Sequence, residues 1–457
     1  MTTVTLPLWL VILALGALVV LVIERLLFPS VRWVLRRRLH TSFNELNARL
    51  QLPVQPFAFT QRRVLVDRLT YDPQVMDAVS QAAEAEDVPR EVMAEKAARY
   101  AREIVPSFSP TAYYGLGIRA SRWIAQTLYR VRLGSLDAAH LSEIDNKATV
   151  VFVMNHRSNL DYMLVTYLAA DRTTLSYAAG EWARVWPLQQ IAKLMGAFFI
   201  RRRSRNALYR RVLARYVQMA TEGGVTQAVF PEGGLSRDGS LGPAKLGLVS
   251  YIVEGFDPAR GRDVVFIPVA INYDRVLEDR VLTGAELEAD GKPRFRASAS
   301  ATLGFFLNLI WLRLRGKFHR FGYASVSFGA PVSLREFLDQ SPADTIAELG
   351  ETLMAEIGRI VPVLPVSLVA TVMQSQEGPI TDAKLRAEAF ALKEALVRAG
   401  AHFHLPRDDF DYAVTVGLRM LKERGILRKA GETWHSVEVE THLLTYYTNA
   451  IAHLPRG

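Results

Sequence analysis

The sequence predicts an α/β fold: a mixed, mostly parallel sheet flanked by helices, with helical N-terminal and C-terminal regions and one N-terminal membrane anchor. Three observations predict it. The short β-branched runs "ATVVFVMNH", "TQAVFPEGG" and "DVVFIPVAINYD" are typical of buried strands that end in polar residues. Helix-like stretches such as "NALYRRVLARYVQMATEGG" separate these runs, as βαβ units require. An apolar run near the N-terminus, without a charge, predicts the anchor.

That apolar run, residues 6–23, holds 18 residues without a charge, close to what the hydrocarbon core of a bilayer requires. A cleaved signal peptide carries positive charge before its apolar run, whereas here the arginines follow it, at 25, 32 and 36–38. We therefore predict that residues 1–28 anchor the chain, the alternatives being a buried core helix or an interfacial helix. The positive-inside bias puts the remainder on the cytoplasmic side of the membrane.

The spacing of apolar residues distinguishes three further regions of the sequence. Residues 29–145 carry helical periodicity, as in "DPQVMDAVSQAAEAED" and "PREVMAEKAARYAREIV". Residues 146–340 alternate strand-like and helix-like stretches and form the predicted catalytic domain, and residues 341–457 are again predicted to be helical. Ligands of such sheets bind beyond the carboxyl ends of the strands, which is where these strands end in polar residues.

The composition limits the partners and the chemistry. Half of the 457 residues are hydrophobic and 22% are charged, which is typical of a folded chain long enough for two or three domains. The net charge of +9 favours anionic partners but does not choose among nucleic acid, anionic lipid and phosphorylated small molecules. The chain has no cysteine, which excludes disulfides, thiolate catalysis and cysteine metal sites.

The stretch "VMNHRSNLDYMLV" places His156 after a strand and Asp161 five residues later, where a helix begins. A carboxylate bound to one ring nitrogen fixes the histidine tautomer and leaves the other nitrogen free to accept a proton. The pair therefore predicts a general base. The alternative is that Asp161 only caps a helix and His156 fills a loop. A metal site would need more ligands, and no neighbouring cluster supplies them.

Two more stretches are candidates for binding a phosphate. Arg201 and Arg202 follow the apolar "AFFI" directly, and arginines at the end of a buried segment suit bidentate phosphate binding, although a solvated surface is the alternative. The stretch "FPEGGLSRDG" allows a sharp turn with close backbone approach to a ligand. Its candidate residues are Glu232, Gly233, Gly234, Ser236 and Arg237.

In their order and spacing, "NHRSNLDY", "GAFFIRR", "FPEGGLSRDGSLGPAKLG" and "FIPVAINYDRVLED" resemble the four blocks of the glycerolipid acyltransferase superfamily. Among its members, the chain most closely resembles glycerol-3-phosphate acyltransferases of the bacterial membrane type. The resemblance covers residues 150–375 and is weak over the helical ends. It implies an enzyme of the inner (cytoplasmic) membrane that acylates glycerol 3-phosphate to lysophosphatidic acid, the first step of phospholipid biosynthesis.

The resemblance also assigns roles. His156 would take the proton of the C1 hydroxyl, and Asp161 would hold the ring. The acyl group would come from acyl-CoA or from acylated acyl carrier protein (acyl-ACP). Direct transfer is favoured over an acyl-enzyme on Ser158. Related members often carry arginine where this chain has Leu235. We therefore expect Arg237 or Arg157 to supply the missing contact with the phosphate. The implied substrate-binding residues are Arg157, Ser158, Arg201, Arg202, Glu232, Gly233, Gly234, Ser236 and Arg237, and Pro268 is implied to shape the acyl wall.

We expect no metal and no cofactor beyond the acyl donor, and partners limited to glycerol 3-phosphate, the donor and membrane lipids. The stretch 303–317 is either interfacial or a core helix. Dihydroxyacetone phosphate or lysophosphatidate remains an alternative acceptor. From a different class, the chain could be a non-catalytic lipid-binding protein, or a nucleic-acid-binding one through "RDDFDYAVTVGLRMLKERGILRKAGETWHSV", which predicts a helix followed by a β-hairpin. That stretch mixes charges, so no nucleic acid is expected.

Overall fold

The computed structural model describes residues 57, 60–136, 140–141, 143–169, 175–179, 188–201, 204–259, 261–284, 320–340 and 345–455. The chain divides into two compact units, and all of these residues belong to the larger one, which runs from residue 55 to 170 and from 174 to 457. The predicted anchor at 1–28 and the stretch 303–317 lie outside the described residues. Among those described, no helix is long and apolar enough to cross a membrane.

The helices that precede the sheet form as their periodicity predicts. Asp72 caps the second helix by accepting a hydrogen bond from the backbone N–H of Gln74 at 3.0 Å, and Pro73 is its first residue. The "TAYYGLG" stretch forms a π-helix, Thr111–Gly117, which continues into an α-helix. The helices of this region are α1 (Arg62–Thr70), α2 (Pro73–Glu86), α3 (Arg90–Ile104) and α4 (Ile118–Leu128).

An eight-stranded mixed sheet lies within the larger unit, which confirms the predicted α/β fold with a mostly parallel sheet flanked by helices. Its order is β1-β7-β6-β2-β5-β3-β4, with β8 pairing with β6. The pairs are parallel except where β6 meets β7 and β8. The strands are β1 (Arg130–Leu136), β2 (Thr149–Met154), β3 (Ser176–Ala179), β4 (Phe198–Phe199), β5 (Gln227–Val229), β6 (Val264–Tyr273), β7 (Tyr323–Phe328) and β8 (Val332–Ser333).

Helices cover the sheet because its central strands are apolar on both faces. All six residues of β2 and all ten of β6 are buried. One hydrophobic core joins this sheet to α1, α2, α3 and four later helices. The helices that follow β2 are α5 (Asp161–Ala169), α6 (Leu188–Leu194), α7 (Ala207–Glu222), α8 (Gly247–Glu254), α9 (Asp279–Leu282), α10 (Leu334–Gln340) and α11 (Thr345–Arg359).

The C-terminal region contains helices and a small sheet. The order of its three antiparallel strands is β10-β11-β9. The predicted helix and β-hairpin are present as α14, β10 and β11. The elements are α12 (Pro365–Gln374), β9 (Ile380–Thr381), α13 (Asp382–Arg398), α14 (Phe410–Glu423), β10 (Leu427–Ala430), β11 (Thr433–Ser436) and α15 (Thr441–Asn449).

Two elements differ from the predicted regions. The edge strand β1 belongs to the central sheet, although the sequence analysis includes it in the helical region 29–145. The C-terminal region, predicted to be helical, also carries the three-stranded sheet. The alternation "RVRLGSL" is the strand signal that separates β1 from the helix before it, since only one face of an edge strand needs to be apolar.

The topology brings several loops to one edge of the sheet. Strands β2, β5 and β6 are parallel, so that the residues after Met154, Val229 and Tyr273 lie at a common edge. Strand β7 runs antiparallel to β6, and therefore the start of β7 lies at that edge too. The predicted catalytic and substrate-binding loops all follow strands that end there.

Candidate active site

His156 and Asp161 form the predicted pair, buried at the edge of the sheet. The His156 Nδ1–H donates to Asp161 Oδ2 at 2.9 Å, and the two side chains are 1% and 0% exposed. Because the carboxylate accepts the Nδ1 proton, Nε2 is the ring nitrogen left to accept a proton. The pair thus has the arrangement of a general base held by its carboxylate.

Asp161 is the first residue of α5, but its carboxylate does not cap that helix. Oδ2 also accepts the backbone N–H groups of Arg157 at 2.7 Å and Ser158 at 3.0 Å, both in the loop before the helix. Oδ1 accepts the hydroxyl of Tyr273 at 2.6 Å. The carboxylate therefore fixes the loop and the imidazole together, and the alternative that Asp161 only caps a helix does not fit these contacts.

The ring of His156 is also held by aromatic neighbours. It stacks on Phe230, with centroids 4.0 Å apart and planes inclined by 27°, and Tyr162 lies edge-on at 5.8 Å. Phe230 directly follows β5 and opens the stretch "FPEGG". The histidine loop and the Gly-Gly loop are therefore packed against each other.

Hydrogen bonds join these two loops as well. The backbone N–H of Ser236 donates to the carbonyl of His156 at 2.9 Å, and the Glu232 carboxylate lies near the backbone N–H groups of His156 and Gly242. Burial raises the pKa of Glu232 to about 7, and the nearby guanidinium of Arg157 opposes this rise. The candidate residue Glu232 thus lies in the same buried network as the His156–Asp161 pair.

The Gly-Gly turn uses backbone geometry that glycine permits. Gly233 has φ of 66°, in the left-handed region, and a Cβ there would meet the side chain of Lys245 at 3.0 Å. The hydroxyl of Ser236 accepts the N–H of Gly239 at 3.0 Å and donates to the carbonyl of Ser240 at 2.8 Å. Gly234 lies in the turn and Arg237 is exposed on the loop.

Three candidate residues are engaged within the protein. The guanidinium of Arg157 is buried and donates to the carbonyls of Gly239 and Ala450, the latter at 3.4 Å. The hydroxyl of Ser158 donates to Glu278 at 2.8 Å. Arg201 is bidentate to Glu103 at 2.9 and 2.5 Å. These contacts occupy the groups that the sequence analysis assigns to substrate. They could not be predicted from the sequence, because the partners lie 82 to 293 residues away.

The last two candidates lie apart from the loops. Arg202 lies outside the described residues. Pro268 sits within β6, opposite Val153 of β2, at the point where the antiparallel neighbour of β6 changes from β8 to β7. A strand proline is tolerated there because no ladder bond to the antiparallel side is lost, and the N–H of Gly329 donates to its carbonyl at 2.9 Å.

Sequence reasoning missed two residues that bind the catalytic loop from the stretch "NYDRVLED". Tyr273, the last residue of β6, bonds Asp161. Glu278 accepts from Ser158 and from the backbone and side-chain N–H groups of Asn159, at 3.2 and 3.1 Å. Burial raises the pKa of Glu278 to about 7, and the Ser158 bond opposes this rise. The usable signal was the row of polar residues directly after a buried strand.

No group of three or more histidine or acidic side chains in the described part of the chain is arranged to hold a metal ion. A small apolar cleft lies beside the His156–Asp161 pair, which we call the dyad, between α4 and α5. Its walls include Ile124, Leu160, Met163 and Leu164, and Tyr273 lines it as well. The site therefore combines one oriented imidazole, a buried carboxylate network and adjacent apolar surface.

An α/β sheet with a His–Asp pair five residues apart and a Gly-Gly loop beside it defines an acyltransferase-type site. Two family models match the chain: "Acyltransferase" over residues 137–272 and "Glycerol-3-phosphate acyltransferase C-terminal region" over residues 307–455. Proteins named glycerol-3-phosphate acyltransferase from Ectopseudomonas mendocina and Pseudomonas entomophila are 30% and 29% identical to it, over 86% of this chain and 49% of each relative. The chain is therefore similar to the glycerolipid acyltransferase family over both of these regions.

The chain spans about half the length of these curated relatives. Among solved structures, the 1-acyl-sn-glycerophosphate (LPA) acyltransferase PlsC from Thermotoga maritima matches with a TM-score of 0.30 and 18% identity, covering 65% of this chain and 98% of that one.

Proposed function

We propose that the chain is a glycerol-3-phosphate 1-O-acyltransferase, which moves an acyl group from acyl-CoA or acyl carrier protein to sn-glycerol 3-phosphate. The observation that carries this proposal is the buried 2.9 Å contact between His156 Nδ1 and Asp161 Oδ2, in a loop that packs on the Gly-Gly turn. The names of the relatives and of the C-terminal family model support glycerol 3-phosphate as the acceptor.

The proposed reaction needs only one proton carrier. Nε2 of His156 takes the proton of the C1 hydroxyl while that oxygen attacks the thioester carbonyl. The tetrahedral intermediate collapses, the C–S bond breaks, and the imidazolium returns its proton to the leaving thiolate. Asp161 stabilises the imidazolium through the Nδ1 hydrogen bond. The products are lysophosphatidic acid and the free thiol of the carrier.

Ser158 is not proposed as a nucleophile. Its hydroxyl donates to Glu278 and accepts the N–H of Leu160 at 3.2 Å. These contacts hold it in the loop and support direct transfer to the acceptor rather than an acyl-enzyme.

For the acceptor phosphate, we assign Arg202 and the exposed Arg237, with Glu232, Gly233, Gly234 and Ser236 shaping the loop around the acceptor. The contacts of Arg157 and Arg201 with protein groups argue for a supporting role of these two arginines. Pro268, opposite Val153 in the sheet, remains our proposal for the acyl wall. Arg202→Ala should raise KM for the acceptor much more than for the donor, and an unchanged acceptor KM would remove it from the site.

The test uses the purified chain with labelled glycerol 3-phosphate and each donor in turn. We expect His156→Ala and Asp161→Asn to lower kcat by about 10²–10⁴, because the base is lost or its tautomer is no longer fixed. Ser158→Ala is the matched control in the same loop and should keep substantial turnover. Loss of all turnover in Ser158→Ala, or normal turnover in His156→Ala, would overturn the mechanism.

The same assay decides the acceptor. Dihydroxyacetone phosphate and lysophosphatidate are offered beside glycerol 3-phosphate at equal concentration. A higher kcat/KM for either of them would replace the proposed acceptor. The absence of turnover with all three would favour a non-catalytic role.

We further propose that residues 1–28 attach the chain to the cytoplasmic membrane with the catalytic domain in the cytoplasm. The uncharged run of 18 residues at 6–23 and the arginines after it support this. Deletion of residues 1–28 should move the protein from the membrane fraction to the soluble one. Retention in the membrane fraction would transfer the attachment to another surface, such as 303–317.

A further inference from the structure

A second group of cations lies at the same edge of the sheet, outside the site described above. Arg130 and Arg132 are two residues apart on the edge strand β1, so their side chains share one face. Their guanidinium carbons lie 5.6 and 5.9 Å from the ring centroid of Tyr323, and the ring of His404 is 5.0 Å from the same centroid. Three cationic or titratable groups thus surround one buried tyrosine.

A third arginine completes this group, which we call the arginine cluster: Arg130, Arg132 and Arg407. Arg130 donates to the hydroxyl of Tyr323 at 3.3 Å, and the hydroxyl of Tyr412 lies near the same guanidinium. The guanidinium of Arg407 lies 4.3 Å from the centroid of the Tyr412 ring. The two tyrosines therefore hold the three guanidinium groups in one small area, with Arg132 and Arg407 exposed.

The cluster has an excess of positive charge. Within the described parts of the chain, none of its three arginines forms an ion pair. Of the nearby acids, Asp408 is exposed beside Arg407, Asp409 caps α14 through the N–H of Tyr412, and Asp411 pairs with Arg386. Nε2 of His404 is buried without a described partner. Burial lowers the pKa of His404, and the charge of Arg132 lowers it further.

The position of the cluster relates it to the dyad. Arg130 pairs with Tyr323, whose backbone bonds Asp274 just beyond β6. Strand β1 is three strands from β2, which carries His156, and three spacings of about 4.8 Å amount to about 14 Å across the sheet. Both sites lie at the edge where β2 and β6 end. A ligand with an extended arm can therefore reach from one site to the other.

We propose that the arginine cluster binds the phosphorylated nucleotide end of coenzyme A while the acyl thioester lies at His156. This inference rests on the proposed acyl transfer and names the donor for the same site. Guanidinium groups bind phosphate through short charge-assisted hydrogen bonds, and several of them can share one phosphate. The pantetheine arm of coenzyme A separates the thioester from the nucleotide phosphates, as the two sites require.

A compact anion suits the cluster better than an acidic protein surface. The guanidinium groups crowd around two tyrosine rings rather than spreading along a helix face. Asp408, Asp409 and Asp411 lie close to Arg407 in the sequence. A bound anion must therefore be small enough to contact the guanidinium groups without approaching these carboxylates, which an extended acidic helix, such as a carrier protein would present, cannot do. Binding of acyl carrier protein at this cluster is therefore an outcome that would overturn the proposal.

The test measures binding of free coenzyme A by calorimetry and steady-state kinetics with acyl-CoA on the full chain. In the Arg130→Gln/Arg132→Gln double variant we expect Kd for coenzyme A and KM for acyl-CoA to rise about tenfold or more, which corresponds to the loss of charge-assisted hydrogen bonds. KM for glycerol 3-phosphate should stay within about twofold. Dephospho-coenzyme A, which lacks the 3′-phosphate, should bind the wild type weakly, and the variant should lose little further affinity for it.

The matched control is Arg90→Gln/Arg99→Gln, which removes two exposed charges from α3. It should leave both donor constants unchanged. If the cluster double variant unfolds, Arg132→Gln alone replaces it, since the only described hydrogen bond of that exposed side chain is to the carbonyl of Val131. An equal loss for coenzyme A and its dephospho form, no loss at all, or a loss confined to acyl carrier protein would refute the proposal. A wild type that binds coenzyme A but acylates no acceptor would count only against the proposed function.

Discussion

The orientation of His156 depends on a single carboxylate. Asp161 accepts four hydrogen bonds, from the imidazole, two backbone N–H groups and the hydroxyl of Tyr273. Only the imidazole partner could be predicted from the sequence, because a spacing of five residues is local. Tyr273 lies 112 residues further along the chain, and its contact arises from the pairing of β2 with β6.

The hydroxyl of Tyr273 positions the dyad without touching substrate in the proposed mechanism. We expect Tyr273→Phe to lower kcat about tenfold, because Asp161 loses the donor that holds Oδ1 and with it the orientation of Oδ2 toward the imidazole. The KM values for both substrates should change less than threefold. Steady-state kinetics in which both substrate concentrations are varied measure the change in kcat separately from the changes in the two KM values.

The control for that change is Tyr129→Phe. Tyr129 is equally buried and packs on Tyr273 with centroids 5.1 Å apart, but its hydroxyl donates to the carbonyl of Arg275 at 2.7 Å. It should lose stability without a comparable loss of kcat. Equal kinetic effects in the two variants would assign Tyr273 to general packing.

At the scale of elements, local periodicity predicted most helices and the central strands, but not β1 and not the order of the sheet. Strand β1 pairs with β7, 193 residues away by the register Arg130↔Tyr323, and no local pattern encodes that pairing. The loop after β6 is a second example. Its contacts with the catalytic loop join Glu278 to Ser158 and Asn159 across about 120 residues.

That loop contact predicts a pH dependence of stability. Burial raises the pKa of Glu278 to about 7, above the ordinary value of about 4.3 for an unfolded chain. As the pH rises from about 4.3 to about 7, the unfolded chain releases the proton before the folded one, so the wild type loses stability over this window. Glu278→Gln cannot titrate there. The free energy of unfolding of the variant minus that of the wild type should therefore be larger at pH 8 than at pH 5, which means that the variant gains stability relative to the wild type as the pH rises.

Denaturant unfolding at pH 5 and pH 8 measures this difference. Glu95→Gln, on an exposed position of α3, is the control and should shift the free energy of unfolding equally at both pH values. A difference between Glu278→Gln and the wild type that is the same at both pH values would contradict the raised pKa.

At the scale of the whole molecule, the C-terminal region and the catalytic sheet are bound to each other around the dyad. The guanidinium of Arg157, next to His156, donates to the carbonyl of Ala450, and the side chain of Asn449 donates to the carbonyl of Asp238 at 3.0 Å. The C-terminal helix α15 therefore fixes both loops of the site. Sequence periodicity predicted that helical region, but it could not place its end against the catalytic loop, since this contact spans 293 residues.

The strongest of these connections is a buried ion pair. Arg424, which follows α14, lies 2.6 Å from Asp279, the first residue of α9, and the hydroxyl of Tyr447 on α15 donates to the same carboxylate. The two charged side chains are only 9% and 4% exposed. Removal of the arginine leaves a buried carboxylate without its counter-ion, which costs about 3–5 kcal/mol in comparable cases.

We therefore expect Arg424→Gln to lower the free energy of unfolding by about 3–5 kcal/mol and to do so in one cooperative transition, because the pair joins the C-terminal region to the sheet. Circular dichroism and tryptophan fluorescence during denaturant unfolding should give coincident midpoints in the wild type and in the variant. Arg386→Gln, which breaks more exposed pairs with Asp382 and Asp411, should cost only about 1 kcal/mol. Two separate transitions in the wild type, or equal costs for the two arginines, would mean that the C-terminal region folds independently of the catalytic sheet.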